Sequence, residues 1–472
     1  MTENKMGTQS ISKLVWSMGL PMILSMVLQA LYNVVDTMFV INMGAGGTAG
    51  NLALSAAFPV QIFMIAVGVG TGVGINAMLS KNLGEGNSET VNKIAGNGLF
   101  LTAVFYVVFL LFGLFGAEPY MKLMSADSEV ISAGTRYLRI CCCLSVGSLG
   151  FAVAERFLMS TGKTTHSMLA QITGAALNIV LDYVFIYPLG WGIDGAAYAT
   201  VIGQIASFAL ALVLHYLLNK EIDGNLKYVK PDFGVIKSVY KIGFPAFLMQ
   251  GMLSVMMFGV LLIFRTIPDE YTVALLSGGY GIYYKLMQTA LFAAFGLSNT
   301  LISIVGYNYG MKRFDRVRQT AKFGIVDTVI VMAVITIAFQ LFAKPVSELF
   351  ALTVDETAAV SRDDTVALCV TALRIATIGY VFMGFAVAVQ GVLQGLGCVY
   401  SPVVISALRT MVFVFPSVWL FTLSADVTSA VWWAFPIAEV LTAVVSAFML
   451  RSALKKKLVV DGDVELDQMC EC

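Results

Sequence analysis

Charge is what this chain lacks most. Asp, Glu, Lys and Arg together make up 12% of it, about half of the roughly 25% carried by a typical soluble protein. A water-facing surface cannot be built from so little charge. Histidine is almost absent: His166 and His215 are isolated, so neither a histidine metal site nor histidine acid–base chemistry is expected. The seven cysteines give no disulfide framework. Cys141–Cys143 are consecutive in an apolar run, where three adjacent side chains of a helix point in different directions. Cys369 and Cys398 lie in other apolar runs, and the Cys470-x-Cys472 tail reads as an incidental pair. Gly162-Lys163-Thr164 ends like a phosphate-binding loop, but Phe157 stands where the first glycine is required, so no ATPase module is expected. Neither a nucleophile–base set nor metal-ligand spacing is visible. A cleavable leader is not expected either, because the polar stretch Met1–Lys13 runs into a full-length apolar segment.

Apolar sequence fills the space instead. Hydrophobic residues account for 58% of the chain, and a segment of about 20 such residues crosses a bilayer as a helix. Twelve runs qualify: 14–41, 51–79, 94–116, 130–159, 166–188, 194–218, 238–264, 272–305, 324–343, 365–395, 401–423 and 428–450, numbered here as spans 1 to 12. The expected fold is an all-α polytopic membrane protein of twelve transmembrane helices in two six-helix bundles. Residues 1–218 would form the first lobe, 219–236 an inter-lobe loop, 237–460 the second lobe and 461–472 a tail. Lys5, Lys13, Lys81, Lys93, Lys163, the Lys220–Lys241 group, the Lys312–Lys322 group and Arg451 with Lys455–Lys457 all fall on one side. The other side holds only Lys122, Arg265, Lys344 and Arg362 among acids such as Glu118, Asp355 and Asp363. By the positive-inside rule, both ends of the chain are expected on the cytoplasmic side of the membrane.

The two halves repeat one another. Lys13-Leu-Val-Trp-Ser-Met-Gly19-Leu-Pro21 returns as Lys237-Ser-Val-Tyr-Lys-Ile-Gly243-Phe-Pro245. Asn82-Leu-Gly84 returns as Asn308-Tyr-Gly310, and Gly150-Phe-Ala-Val-Ala154 as Gly384-Phe-Ala-Val-Ala388. Internal repeats in an apolar chain of this length mark secondary transporters built of two related bundles. The run Gly68-Val-Gly70-Thr-Gly72-Val-Gly74 resembles a dinucleotide fingerprint in outline only. In a span, small residues at this density permit close helix packing or soften the helix. Gly70 and Gly72, with Pro21 and Pro245, are the expected hinge positions.

An ionisable side chain inside hydrocarbon costs at least ~2.5–3.5 kcal/mol on insertion scales, so each is a functional candidate. The set is Asp36, Arg136, Arg139, Glu155, Arg156, Asp182, Lys285, Asp327, Arg374, Arg409 and Glu439. Depth separates them. At about 1.5 Å rise per residue, Asp36 and Asp182 lie roughly 9 Å from the outer ends of spans 1 and 5, and Thr200 and Tyr137 roughly 12 Å from those of spans 6 and 4. Asn178, four residues before Asp182, shares its face, and Gln29, Tyr32 and Asn33 lie on the Asp36 side of span 1. Such a set suits a hard cation such as Na⁺, which prefers oxygen donors, or a proton shared between buried carboxylates. Arg139 and Arg374 read as bracing residues, and Glu155 and Arg156 as a solvated or mutually paired couple. Lys285 and Glu439 would either pair across the second bundle or face the substrate, and Gln29, Tyr32, Asn33, Gln250 and Gln288 are further candidates for substrate contact.

Gly19-Leu-Pro21 with Tyr32-Asn-Val-Val-Asp36-Thr, Asn178-Ile-Val-Leu-Asp182 followed by Gly195-Ala-Ala-Tyr-Ala-Thr200, and Gly306-Tyr-Asn-Tyr-Gly310 resemble the multidrug and toxic compound extrusion (MATE) family over essentially the whole chain. The resemblance implies a V-shaped pair of six-helix lobes that exports amphipathic, often cationic, compounds in exchange for Na⁺ or H⁺. It also implies a cation site at Asp36, Asn178, Asp182 and Thr200, with Tyr137 nearby, and no other cofactor. The expected partners are small organic molecules and the lipid bilayer, without nucleic acid or an ATPase subunit, for a protein acting as a monomer. Family members with essential acids on helices 7 and 10 have no counterpart here, since span 7 offers Gln250 and span 10 Gln390 and Gln394. Coupling is therefore expected in the first lobe. A lipid-linked oligosaccharide flippase of the same superfamily is the alternative. The loop after span 2, Leu79-Ser-Lys-Asn-Leu-Gly-Glu-Gly-Asn, lacks the pattern of a major-facilitator carrier, and no G-x-G-D of an intramembrane aspartyl protease is present.

Overall fold

A computed structural model describes residues 4–41, 47–223, 225–351 and 360–458. The expected 461–472 tail with Cys470 and Cys472, Asp355, and the side chain of Asn33 lie outside the described residues. All regular structure within the described residues is helical. The long helices are α1 (Ile11–Ile41), α2 (Gly47–Glu85), α3 (Ser88–Met124), α4 (Ser128–Cys143 and Val146–Ser160), α5 (Thr164–Ile186) and α6 (Gly192–Leu218). The second set is α7 (Phe233–Phe264), α8 (Glu270–Gly310), α9 (Phe314–Leu341), α10 (Arg362–Gly395), α11 (Tyr400–Thr422) and α12 (Val427–Lys457). Eleven are long and apolar enough to span a bilayer. The two pieces of α4, bent by 41° at Leu144–Ser145, make a twelfth when taken together. Apolar residues surround most of these helices on every face, which a bilayer tolerates because the backbone is satisfied within each helix. The exception is α8, whose most apolar stretch is 83% buried and which forms the central post of its bundle.

Helix starts follow capping chemistry. Asn87, Asp127, Asp269 and Ser361 each accept a backbone N–H from the first turn of α3, α4, α8 and α10. The stops carry the repeat more plainly than the sequence does. α2, α4, α8 and α10 end in the same left-handed turn, at Gly86 (φ +74°), Gly162 (+80°), Lys312 (+56°) and Gly397 (+74°). The following residue donates back across the turn each time: Asn87 to Asn82, Lys163 to Leu158, Arg313 to Asn308 and Cys398 to Leu393. Three of the four positions are glycine. At the fourth, Lys312 carries a Cβ into a conformation that costs an L-residue about 1 kcal/mol. Lys312→Gly is accordingly expected to raise the thermal midpoint of the detergent-purified protein by about 1 °C, and a lowered midpoint would refute it.

The chain forms two compact units, Met1–Thr8 with Leu28–Phe247 and Gln9–Val27 with Leu248–Cys472. The division differs from the expected one at 1–218 and 237–460. The first half of α1 belongs to the second unit and the first half of α7 to the first, so each repeat contributes one half-helix to the other's bundle. A continuous apolar run says that a helix exists, not which neighbours each of its halves packs against. In α1 the change of unit comes six residues beyond Pro21, and in α7 two beyond Pro245.

Within the first unit, the glycines of α2 are points of close approach. A Cβ on Gly70 would lie 2.9 Å from that of Phe247, one on Gly72 would lie 3.1 Å from the carbonyl of Ala152, and one on Gly74 would collide with the carbonyl of Val239. They let α2 touch α7 on one side and α4 on the other, which is the packing role that such density serves. The 219–236 segment is also fastened to this unit. Buried Asn92 and Asn97 of α3 accept the backbone N–H groups of Asp223 and Asp232, both at 2.8 Å.

Candidate functional site

The site assembles where α1, α4, α5 and α6 meet in the first unit. α5 and α6 run antiparallel after the short turn at 187–191, and small residues hold them together. A Cβ on Gly195 would lie 2.9 Å from that of Phe185, and one on Gly203 would lie 3.0 Å from the Cβ of Asn178 and 2.7 Å from the carbonyl of Gly174. Those contacts fix the register. Asn178 faces Gly203, and one turn further along α5 Asp182 comes level with Ala199 and Thr200. Thr200 shares a face with Gly203, three residues on.

Asp182 and Asn178 are sealed from solvent, at 0% and 2% exposure. The carboxylate of Asp36, on α1, lies within electrostatic reach of Asp182, of Tyr32 one turn away on its own helix, and of Tyr137 on α4. Both oxygens of Asp182, Oδ1 of Asp36, and both polar atoms of the Asn178 amide are buried without a well-formed hydrogen bond among the described residues, although the Asn178 amide lies within loose reach of the Asp182 carboxylate. Burying unpaired polar groups costs free energy, most of all for carboxylates. A cluster of them in one bundle is therefore a poor device for stability. Its carboxylate, amide and hydroxyl oxygens fit a hard cation or a proton. Among the described residues no group of three His, Cys, Asp or Glu gathers as a transition-metal site would require.

Tyr137 is 1% exposed and packed in an apolar cluster with Ala53 and Ala57 of α2 and Ala197 and Val201 of α6. Its hydroxyl accepts a 2.7 Å hydrogen bond from Nε2 of Gln61 on α2. The thiol of Cys141, one turn on along α4, lies beside the same hydroxyl. Gln61 was not singled out by sequence reasoning. It sits in a run whose polar residue has no local partner, and Tyr137 is 76 positions away.

The remaining candidates are distributed between the units. Gln29 and Tyr32 are half-buried on the part of α1 that belongs to the first unit. Gln250, Lys285, Gln288 and Glu439 belong to the second. Gln288 donates to the Tyr284 hydroxyl at 3.4 Å, which in turn donates to the carbonyl of Leu253 on α7 at 3.0 Å. Glu439 forms an ion pair with Arg409, at 3.4 Å. Glu155 and Arg156 are paired with each other, at 3.7 Å. Arg139 meets Glu118 at 3.3 Å, a bracing contact on the surface.

The MatE family model matches this chain twice, over residues 21–184 and 245–420, so each match opens on a repeat-related proline. Multidrug export protein MepA of Staphylococcus haemolyticus is 25% identical over 452 residues, covering 96% of both chains. The protein of the same name from Staphylococcus aureus strain MRSA252 is 24% identical over 460 residues, again with 96% of each covered. Among solved structures, a MATE protein in complex with MaL6 superposes with a TM-score of 0.87 at 25% identity, covering 97% of this chain and all of that one. A MOP superfamily transporter from Pyrococcus furiosus superposes with a TM-score of 0.86 at 23% identity, covering 98% and 99%, and shows the same fold. Two matched repeats, twelve spans and nearly end-to-end coverage place this chain in the MATE family of efflux transporters.

Proposed function

We propose that this transporter exports amphipathic and cationic organic compounds from the cytoplasm in exchange for inward-moving Na⁺ or H⁺, and that the Asp36–Asp182 cluster is where the ion binds. The observation that carries the reading is the set of carboxylate and amide atoms sealed inside one bundle without well-formed hydrogen bonds among the described residues. The multidrug character follows the MepA relatives. Two like charges held close repel, and an arriving cation or proton relieves that repulsion. The ion therefore binds best to the arrangement that brings the carboxylates together, and it shifts the population toward that arrangement. Asn178 and Thr200 supply neutral oxygens to the same ion, and Tyr137 a hydroxyl at its edge. Gln250, Lys285 and Gln288 are assigned to substrate contact. Both ends of the chain are placed in the cytoplasm by the distribution of Lys and Arg.

The test is extrusion of a cationic dye such as ethidium from energised cells expressing the protein, with external Na⁺ stepped at fixed pH and pH stepped at fixed Na⁺. Extrusion that follows one of the two gradients is expected and identifies the ion. Well-expressed protein that extrudes nothing under either gradient would overturn the efflux reading.

A further inference from the structure

The second unit holds an ionic site of its own. Arg409 of α11 and Glu439 of α12 are buried, with side chains 5% and 12% exposed, and Nε approaches Oε1 at 3.4 Å. No other partner of the Arg409 guanidinium occurs among the described residues. Oε2 of Glu439 and the Tyr280 hydroxyl are also buried without partners among the described residues, and the Tyr380 hydroxyl has only that of Tyr283 beside it. Arg409 stands in a π-helical turn, Leu408–Val412, that interrupts α11. Such turns add a residue to the helical circuit, re-aim the side chains they carry and recur at functional positions. Here the turn faces a small pocket lined by Met256 of α7, Tyr283 and Met287 of α8, Tyr380 and Met383 of α10, and Phe435 of α12. A buried ion pair is seldom retained for stability, since well-packed apolar residues do as well or better. Within a membrane it is a functional candidate.

Size and charge select the ligand. The pocket has room for about one water molecule, which excludes an organic substrate. A metal cation would meet the guanidinium, and an anion would meet the carboxylate. A proton needs neither space nor a coordination shell, and one water suffices to carry it. We propose that Glu439 is a proton-binding site of the second unit, at which a proton taken up on Oε2 displaces Arg409 as the partner of the carboxylate.

The proton adds to Glu439, whose carboxylate becomes a neutral carboxyl, while Arg409 keeps its own proton and charge. The pair thus passes from net zero to net positive inside the bundle. An arginine left without its counter-ion in hydrocarbon is unfavourable, so the protonated and unprotonated forms favour different arrangements around the π-helical turn. The titratable and charged groups facing Glu439 are Arg409 of α11, Tyr283 of α8 and Tyr380 of α10, while Tyr280 packs against Tyr283 and Tyr284, and Cys369 of α10 lies beside Tyr380. The residues that α7 and the second half of α11 bring to the pocket, Met256 and Val414, do not titrate. Lys285 is two positions from Tyr283 and so on another face of α8.

Infrared difference spectra of the full-length protein in lipid nanodiscs, recorded between acidic and alkaline buffers, test the site without transport. A protonated-carboxyl C=O component present in the wild type and in Asp36→Asn, but missing in Glu439→Gln, is the expected result. Wild-type and Glu439→Gln spectra identical in this region would overturn the proposal. If Glu439→Gln does not assemble, Glu439→Asp keeps a carboxyl one methylene shorter. Its component must then titrate with a shifted midpoint, and an unshifted one refutes the assignment equally. Only the link to transport rests on the efflux reading: absence of dye export with the Glu439 component intact would defeat that reading and leave the proton site standing.

Discussion

Asp182→Asn is expected to abolish ion-driven dye efflux while leaving the purified protein at least as thermostable as the wild type when the coupling ion is withheld. The two halves of the expectation have one cause. Asp182 is fully buried, and neither of its carboxylate oxygens has a well-formed hydrogen bond among the described residues. It also stands near the second carboxylate, of Asp36. An asparagine of the same shape removes the repulsion and the cost of burying a charge, so the empty bundle gains or holds its stability. The ion loses more than the bundle gains. A unit charge about 4 Å from its counter-charge at an effective dielectric constant of ~20 is worth about 4 kcal/mol, nearly three decades of apparent ion affinity. Dye efflux against stepped external Na⁺ or pH measures the first half, and a thermal melt of detergent-purified protein the second. Wild-type efflux in Asp182→Asn, and likewise in Asp36→Asn, would remove the cluster from the coupling mechanism. A variant that is both inactive and markedly less stable would reassign Asp182 to holding the bundle together.

How much of this could be read from the chain depends on what each signal measures. Apolar runs measure length, and the twelve runs correspond to the twelve spans, with the bent α4 counted once. Depth along a helix is also a length, so counting residues from the span ends sets Asp36, Tyr137, Asp182 and Thr200 at similar depth. Rotation and partnership are different quantities. The pairing of Glu439 with Arg409 rather than with Lys285 depends on the helical phase of residues 30 positions apart. The π-helical turn at Leu408–Val412 shifts that phase in a way no regular periodicity reveals. The sequence offers Gln250 on span 7 and Gln390 and Gln394 on span 10 in place of an acid, whereas Glu439 stands on α12 in a pairing with Arg409 that only the packed bundle exposes. Gln61 escaped for a related reason, since a lone amide in an apolar run has no meaning until its partner Tyr137 is brought beside it. The exchange of half-helices between units is likewise a matter of tertiary contact. Pro21 and Pro245 mark its neighbourhood, because each removes a backbone N–H from its helix, but they do not say which bundle receives the preceding half.

Gly203→Val should damage both fold and site, because the position is where α5 and α6 are closest to the ion cluster. A Cβ placed there would stand 2.7 Å from the carbonyl of Gly174 and 3.0 Å from the Cβ of Asn178. The first obstacle is backbone, so the side chain cannot rotate away and the helices must separate. Overpacking a well-filled interface costs about 1–3 kcal/mol, and more where backbones must move. A branched side chain between two helices belongs at the upper end of that range, a fall of about 3 °C in thermal midpoint for a chain of this size. The same separation draws Asn178 and Asp182 away from Thr200, which holds the facing position one turn back on α6. Surviving protein should therefore need more Na⁺ or a lower external pH to drive efflux than the wild type. Gly251→Ala, on α7 with nothing within 4 Å of the added Cβ, supplies the contrast, since it should leave the midpoint almost unchanged. Equal midpoints in the two variants would show that α5 and α6 have slack that the glycine contacts deny. A lowered midpoint with unaltered ion dependence would mean that the cluster does not need the α6 oxygen, and that Asp36, Asn178 and Asp182 bind the ion without Thr200.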